Sequence, residues 1–372
     1  METINKLEIL SADSQYDLAC ACGTGDKDRR HRTLDGRWLY PVPLAAGGEG
    51  IMFKTLLSNA CSNDCKYCPL RRNANARRCT LTPDETAKFF YEYQRKRPLL
   101  GMFLSSGVNG SAEHTMDRLL ATAEILRKRY RYRGYIHLKI IPGASMAAID
   151  ETLKLASAVS LNIEVPGKKY FDQLSQSKNF DQDIVAPLKY IARQTAKGNP
   201  FSRIKCTTQF IVGASTETDS EIIRYMDGIY NRLKFERVYF SAYQPGLGDS
   251  SLPGENFTLN ANNRLTREHR LYQVDWLLRQ YKFQPSEMIF DPDGNLSLEH
   301  DPKESWALSN PEFFPVRINS ATAADLLRVP GLGPTWVKRI TDVRTRCRIQ
   351  RLSMIGLTGK LAAKARNYLD FS

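Results

Sequence analysis

Three cysteines within eight residues carry the clearest chemistry in the chain: Cys61-Ser62-Asn63-Asp64-Cys65-Lys66-Tyr67-Cys68. Three thiolates on one short loop can converge on a metal centre, and soft sulfur selects iron–sulfur clusters, zinc or copper(I). The intervals are three residues and then two. Two centres suit such a loop. A four-iron cluster held by three cysteines leaves one iron open to a small molecule, whereas a zinc site would need a fourth ligand, for which Cys79 is the nearest candidate. The paired two-residue spacings usual in zinc sites are missing, which favours the cluster.

A loop of this kind needs a scaffold, and the flanking pattern supplies one. Short apolar runs rich in β-branched and aromatic residues at 51–57, 99–104, 135–141, 159–165, 207–212 and 238–243 predict six strands. Between them, Thr82-Pro83-Asp84-Glu85 reads as a helix cap and first turn, with Phe89, Phe90 and Tyr93 following at helical spacing. Further helices are predicted at 116–130, 146–156, 183–196 and 217–233. Strands alternating with helices imply a parallel sheet with right-handed crossovers, either open and doubly wound or barrel-like. Ligands of such sheets gather at the C-terminal strand ends, and the cysteine loop directly follows the first strand. Beyond Gln244 the stretch PGLGDSSLPGENFTLNANN reads as a surface loop. A helix at 265–281 then places Leu271, Val274, Leu277 and Leu278 on one face, and 291–314 reads as a connector.

The segment LLSNACSNDCKYCPLRRN resembles the radical S-adenosylmethionine (SAM) superfamily. With FLSSGVNGS, YIHLKIIPGAS, LNIEVP, TTQFIVGASTETD, RVYFSAYQP and RLYQVDWLLR, the chain is similar, from about residue 10 onward, to the subfamily assigned to DNA modification or repair. That resemblance implies an α/β fold, a partial (β/α)6 radical SAM barrel with a small all-α C-terminal helix-hairpin-helix domain. It also implies that Cys61, Cys65 and Cys68 ligate a 4Fe-4S cluster whose open iron is chelated by the methionine part of S-adenosyl-L-methionine. One electron through the cluster would then break the S–C5′ bond, and the 5′-deoxyadenosyl radical would abstract hydrogen from the substrate. The protein's own task is to position these parts.

By the same resemblance Tyr67 contacts the adenine. Ser105, Ser106 and Gly107 stand where many members have Gly-Gly-Glu to receive the methionine amine, and this chain lacks the glutamate. Asn162 and Glu164 face the ribose hydroxyls, and Gly213 allows close backbone approach to the adenine. Taken without the resemblance, the two glycines are ordinary strand-end turns and Glu164 is a surface carboxylate or half of an ion pair. Tyr243 and Cys206 are candidates to relay a hydrogen atom, against plain readings as a packed aromatic and a small buried hydrophobe. Cys20 and Cys22 are open between a second cluster, hydrogen donation and neither.

Lys and Arg number 53 against 40 Asp and Glu, a net charge of +13. Residues 317–372 hold eleven basic and three acidic residues, so +8 lies there and only +5 in the rest. Such an excess favours nucleic acid as partner. The same region holds a weak repeat, VPGLGPTWVK and MIGLTGKLAAK, each copy predicted as helix, glycine turn and helix, four short helices in all. It resembles the helix-hairpin-helix module. There Gly331 and Gly333, and Gly356 and Gly359 in the second copy, permit the turn, and the next helix N-terminus offers N–H groups to a phosphate. Lys338, Arg339, Lys360 and Lys364 add cations, so binding would read the phosphate backbone and depend on salt. A protein-docking bundle with a solvated basic face is the plainer reading. Arg71, Arg72, Arg77 and Arg78 flank the cysteine loop as further cations, and RKRYRYR at 127–133 reads as a solvated helix face.

A 42% hydrophobic chain of 372 residues builds a real core, which excludes a disordered tail or a small stapled scaffold. The expected division is an N-terminal extension (1–50), the barrel (51–245), a barrel extension and connector (246–316) and the hairpin domain (317–372). METINKLEILSADSQYDLAC has no basic-then-apolar leader pattern and no stretch approaches about 18 apolar residues, so a soluble, cytoplasmic protein without membrane contact is expected. Clustered cysteines in that compartment are metal ligands before disulfides. The expected function is a radical SAM enzyme modifying or repairing DNA, with a base extruded from the stack. RNA such as a transfer RNA is the alternative substrate, and a non-catalytic DNA-binding metalloprotein with a structural zinc is the alternative class. An electron donor and a glycosylase-like repair protein are the further partners the resemblance implies.

Overall fold

The computed structural model describes residues 2–17, 38–44, 48–256 and 261–372. The chain divides into two compact units, Met1–Glu217 with Tyr225–Glu268, and Thr218–Arg224 with His269–Ser372.

The first unit is built on one seven-stranded sheet in strict chain order, curled as a half-barrel. Its strands are β1 (Leu39–Pro43), β2 (Glu49–Leu56), β3 (Gly101–Ser105), β4 (Tyr135–Lys139), β5 (Ala158–Ser160), β6 (Lys205–Val212) and β7 (Arg237–Ala242). From β2 to β7 every neighbour is parallel. These are the six strands read from the apolar runs, with ends moved by one or two residues except at β5, which stops at Ser160. The helices are α1 (Thr3–Asp13), α2 (Pro83–Lys96), α3 (Ala112–Glu124), α4 (Met146–Leu155), α5 (Lys168–Leu174), α6 (Ala186–Gln194) and α7 (Asp219–Gly228), the last shared by both units.

Local sequence explains where these elements start. The Thr82 hydroxyl accepts the Glu85 N–H while Glu85 accepts the Thr82 N–H, a complete capping box with Pro83 in the first turn. Ser111 and Ser145 cap α3 and α4 more simply, their hydroxyls accepting the His114 and Ala148 N–H. Phe53, Phe90, Met102, Leu104, Phe210 and Phe240 are fully enclosed, as expected of a parallel sheet covered on both faces.

Strand β1 was not among the predicted strands. It pairs antiparallel with β2 at the sheet edge, and its Pro41 and Pro43 are what hid it, because proline lowers a strand reading yet is tolerated at an edge. Trp38, just before it, packs edge-on against Phe89 and Tyr93 of α2. Part of the expected extension 1–50 therefore belongs to the sheet.

The second unit holds the C-terminal part of α8 (Ala261–Gln280), then α9 (Pro302–Ser309), α10 (Ala323–Arg328), α11 (Pro334–Val343) and α12 (Gly359–Arg366). Leu271, Val274 and Leu277 of α8 are buried as the spacing predicts. Ile318, Leu326, Val329, Val337, Ile340, Ile349, Ile355 and Ala365 form the core under the glycine turns. Two expectations need correction. The 291–314 connector contains α9, whose buried Trp306 packs against Phe283, Phe313 and Phe314, so aromatic burial orders what its Pro and Asp content made look like a linker. In the second repeat the first arm is only a 3-10 turn, Leu352–Ile355. No described helix is long and apolar enough to cross a membrane.

Candidate active site

A cavity of about 150 Å³ lies at the C-terminal ends of the strands. Leu56 of β2, Ser105 of β3, Lys139 of β4 and Gln209 and Ile211 of β6 form its walls, and Asn162 and Glu164 enter from the segment after β5. Cys61, Cys65, Cys68 and Tyr67 line the same space, as do Ser106 and Gly107. The cysteine loop is tied to the end of β3 by main-chain bonds: Gly107 N–H donates to Ser58 O (2.7 Å) and Ser62 N–H to Val108 O (2.8 Å). Gly107 is required by proximity, since a Cβ there would stand 2.6 Å from Ala60 O and 3.3 Å from Cys61 Cβ.

The loop also carries its own internal frame. Arg78 donates to four carbonyl oxygens, those of Asn59 (2.5 Å), Leu70 (2.8 Å), Arg71 (2.8 Å) and Ala74 (3.0 Å). Buried Asn59 closes the same ring, giving its Nδ2–H to Arg77 O and accepting the Cys79 N–H, 2.7 Å each. Arg71 reaches Leu247 O (3.0 Å) and Gly248 O (3.1 Å). Two of the flanking arginines are thus structural pegs, which corrects their reading as free cations. The 245–256 stretch is likewise more than a surface loop: Leu252 and Gly254 are buried, and Asp249 N–H donates to Lys66 O (2.7 Å).

Two of the three sulfurs have a main-chain donor: Val108 N–H points to Cys61 Sγ and Leu70 N–H to Cys68 Sγ, both at 3.4 Å, while Lys178 lines the same cavity as Cys65. Burial pushes the Cys65 thiol up and that of Cys68 to about 12, so both are neutral until a cationic centre deprotonates them. Among the described residues no three His, Cys, Asp or Glu side chains are gathered closely enough to share one bare ion. A four-iron cluster gives each thiolate its own iron, so its ligands need not meet at a point. Three sulfurs around one cavity fit that requirement of one thiolate per iron. Cys79 stands apart, its Sγ 3.7 Å from Lys6 O.

Tyr67 donates its hydroxyl to Glu164 Oε1 (2.8 Å), joining the cysteine loop to the segment after β5. Glu164 is buried and has a left-handed backbone, φ +67°, which for a residue with a Cβ costs about 1–2 kcal/mol. Its ladder bonds hold it there: its N–H donates to Gln209 O (3.0 Å) and its carbonyl accepts from Ile211 N–H (2.8 Å). Backbone strain fixed by flanking bonds and aimed into a cavity is a mark of functional sites.

Several lining residues were not read from the sequence. Asp64, inside the cysteine loop, accepts from Ser175 Oγ (2.5 Å), Ser177 Oγ (2.7 Å), Gln176 N–H (3.1 Å) and Ser177 N–H (3.2 Å), and the next residue after this clasp, Lys178, lines the cavity with Cys65. Gln209 shares the inward parity of Ile211, the one signal that was available. Asp13 and Tyr16 reach the cavity from the N-terminal segment.

Other expected site residues lie elsewhere. Cys206 is out of parity with Gln209 and Ile211; its thiol meets Thr195 Oγ1 at 3.5 Å and is pushed by burial to about 11. Tyr243 donates to Glu255 of the following loop and is not among the cavity residues. Gly213 is also absent from the cavity wall; its N–H donates to Glu217 (2.5 Å) at φ +85°. Cys20 and Cys22 fall outside the described residues.

In the second unit, Gly331 (φ +87°) presses on α12, where a Cβ would be 2.6 Å from Leu361 O. Gly356 and Gly359 also have positive φ, +77° and +69°, and Gly333 caps α11 with extended backbone. Lys338, Arg339 and Lys360 are exposed, Arg339 lying 4.9 Å from the Trp336 ring centre. Lys364 is not a free cation: it pairs with Asp301 and Glu304, both at 2.6 Å.

No family model matches the chain, and no curated protein matches it. Among solved structures it is similar to methylornithine synthase PylB, 17% identical over 59% of this chain and 61% of that one, TM-score 0.46. It is similar to the FeFe-hydrogenase maturase HydG from Carboxydothermus hydrogenoformans, 16% identical over 60% and 51%, TM-score 0.46. A third is the radical S-adenosylmethionine methyltransferase TsrM from Kitasatospora setae, solved with cobalamin and a [4Fe-4S] cluster: 13% identical over 52% and 37%, TM-score 0.40. The chain spans less than two thirds of the length of each.

Proposed function

We propose that the chain is a radical SAM enzyme that holds a 4Fe-4S cluster on Cys61, Cys65 and Cys68 and acts on DNA. One observation carries the reading. The three cysteines share a cavity at the C-terminal strand ends, and the sulfurs of Cys61 and Cys68 each receive one main-chain donor. When bound, cluster and S-adenosyl-L-methionine together supply one-electron chemistry that takes a hydrogen atom from a substrate. The chain's own residues bind and orient. Gly107 lets the β3 end approach the cysteine loop, and the Tyr67–Glu164 bond fixes one wall. Asn162, Ser105 and Ser106 offer polar groups on the others.

The DNA part of the proposal rests on the +8 carried by residues 317–372 and on the glycine turns ahead of α11 and α12, whose open N–H groups suit phosphate oxygens. The supporting cations are Lys338, Arg339 and Lys360. Anaerobic reconstitution tests the enzyme: about four irons and four sulfides per chain, and 5′-deoxyadenosine formed with dithionite and S-adenosyl-L-methionine, are expected. About one zinc per chain without iron would overturn it. Deuterated DNA that passes deuterium into the 5′-deoxyadenosine would establish the substrate class, and transfer only from RNA would refute it.

A further inference from the structure

Lys178 is a buried cation, 9% exposed, that neither its sequence context nor the comparisons single out. It lines the same cavity as Cys61, Cys65, Cys68 and Glu164. It lies 5.3 Å from the Phe171 ring centre, so an aromatic face backs the charge on its other side. Its place is not left to the flexibility of a lysine. Asp64, the residue before Cys65, grips Ser175, Gln176 and Ser177 through four hydrogen bonds, and Lys66 N–H adds a bond to Leu174 O (2.8 Å). The strand of chain that presents Lys178 is therefore stapled to the loop that presents Cys65.

Reduction potentials of iron–sulfur centres are set by net charge, by hydrogen bonds to sulfur and by exposure. Lys178 supplies the first of these, a positive charge lining the cavity of the three cysteines, inside a buried site where a charge is poorly screened. We propose that Lys178 is a positioning residue whose charge sets the reduction potential of the cluster, with Asp64 as the clasp that holds it in place. The inference rests on the cluster reading. Reduction adds one electron to the cluster and breaks no bond, so a neighbouring positive charge favours the reduced state and its removal makes reduction harder.

The test is a redox titration of the anaerobically reconstituted full chain, followed by electron paramagnetic resonance without substrate. Wild type, Lys178→Met, Lys178→Gln and Lys178→Arg are compared after iron and sulfide are measured in each. The two uncharged variants should favour the oxidised cluster at least tenfold more than wild type, a midpoint at least 59 mV lower for a one-electron couple. Lys178→Arg, which keeps the charge, should recover most of that shift. Fully loaded Lys178→Met and Lys178→Gln with the wild-type midpoint would overturn the proposal. So would Lys178→Arg shifting as far as Lys178→Met, which would mark a purely structural role. Wild type that loads no four-iron cluster would instead refute the cluster reading itself.

Discussion

Replacing Asp64 by Asn isolates the clasp with little change of shape. Asn Oδ1 can keep the bonds from the two hydroxyls and from Ser177 N–H, but its amide group would then stand where Oδ2 accepts the Gln176 N–H at 3.1 Å, donor against donor. A hydrogen bond to a charged group contributes about 1.5–3 kcal/mol at best. Asp64 is half-buried, so screening reduces the loss to about 1–2 kcal/mol. That is a factor of about 5–30 in the local opening equilibrium. Amide hydrogen exchange reads it directly: Gln176 and Ser177 should exchange about 5–30 times faster in Asp64→Asn at neutral pH, while amides of α2 keep their rates.

Acid supplies a second readout of the same bond set. Burial by itself raises the Asp64 carboxyl, but bonds from Ser175, Ser177 and the Gln176 N–H outweigh it and hold the group at about 2, below its ordinary 3.8. A folded-state value below the unfolded one means that the contribution is complete above pH 3.8 and is lost as pH falls toward 2. The wild-type advantage over Asp64→Asn should therefore be flat from pH 8 to 5 and shrink below 4. Equal exchange rates in the two proteins at neutral pH would refute the clasp.

Gly107→Ala should cost about 1–3 kcal/mol by overpacking against the Ala60 carbonyl, and iron per chain after reconstitution should fall. Burial lowers Lys303 to about 7 while its Nζ donates to Leu332 O, so the unfolded chain binds the extra proton between about pH 7 and 10.5. Stability should rise with pH across that window by up to about 1.4 kcal/mol per unit, and urea titrations of Lys303→Met should lack that slope. Lys338→Ala and Lys360→Ala should each lower the salt slope of DNA binding by about 1. Lys364→Ala should instead lower the unfolding temperature and leave the slope unchanged, because its partners are Asp301 and Glu304.

What the sequence made legible was what is local. Strand runs, the Thr82 cap and the cysteine spacing depend on residues a few positions apart, and the structure has them nearly where the pattern put them. Asp64 and Lys178 were invisible because their partners lie more than a hundred residues away, and a lone Asp or Lys carries no periodicity. Cys206 was marked by residue type, yet strand parity turns its side chain from the cavity while Gln209, three positions on, faces it. Charge counting credited Lys364, Arg71 and Arg78 to a partner, although carboxylates and carbonyls of the chain itself hold them. A net charge states how many cations exist, and the fold decides how many are free.

The ring of carbonyls gathered by Arg78 bears on how the protein ages. Because one guanidinium and the Asn59 amide close the path from residue 59 to 79 without help from iron, the ligand loop owes its shape to the polypeptide. Oxidative loss of a cluster would then strip the centre and spare its mould. On the cluster reading, a damaged copy would be refilled in place rather than degraded and resynthesised.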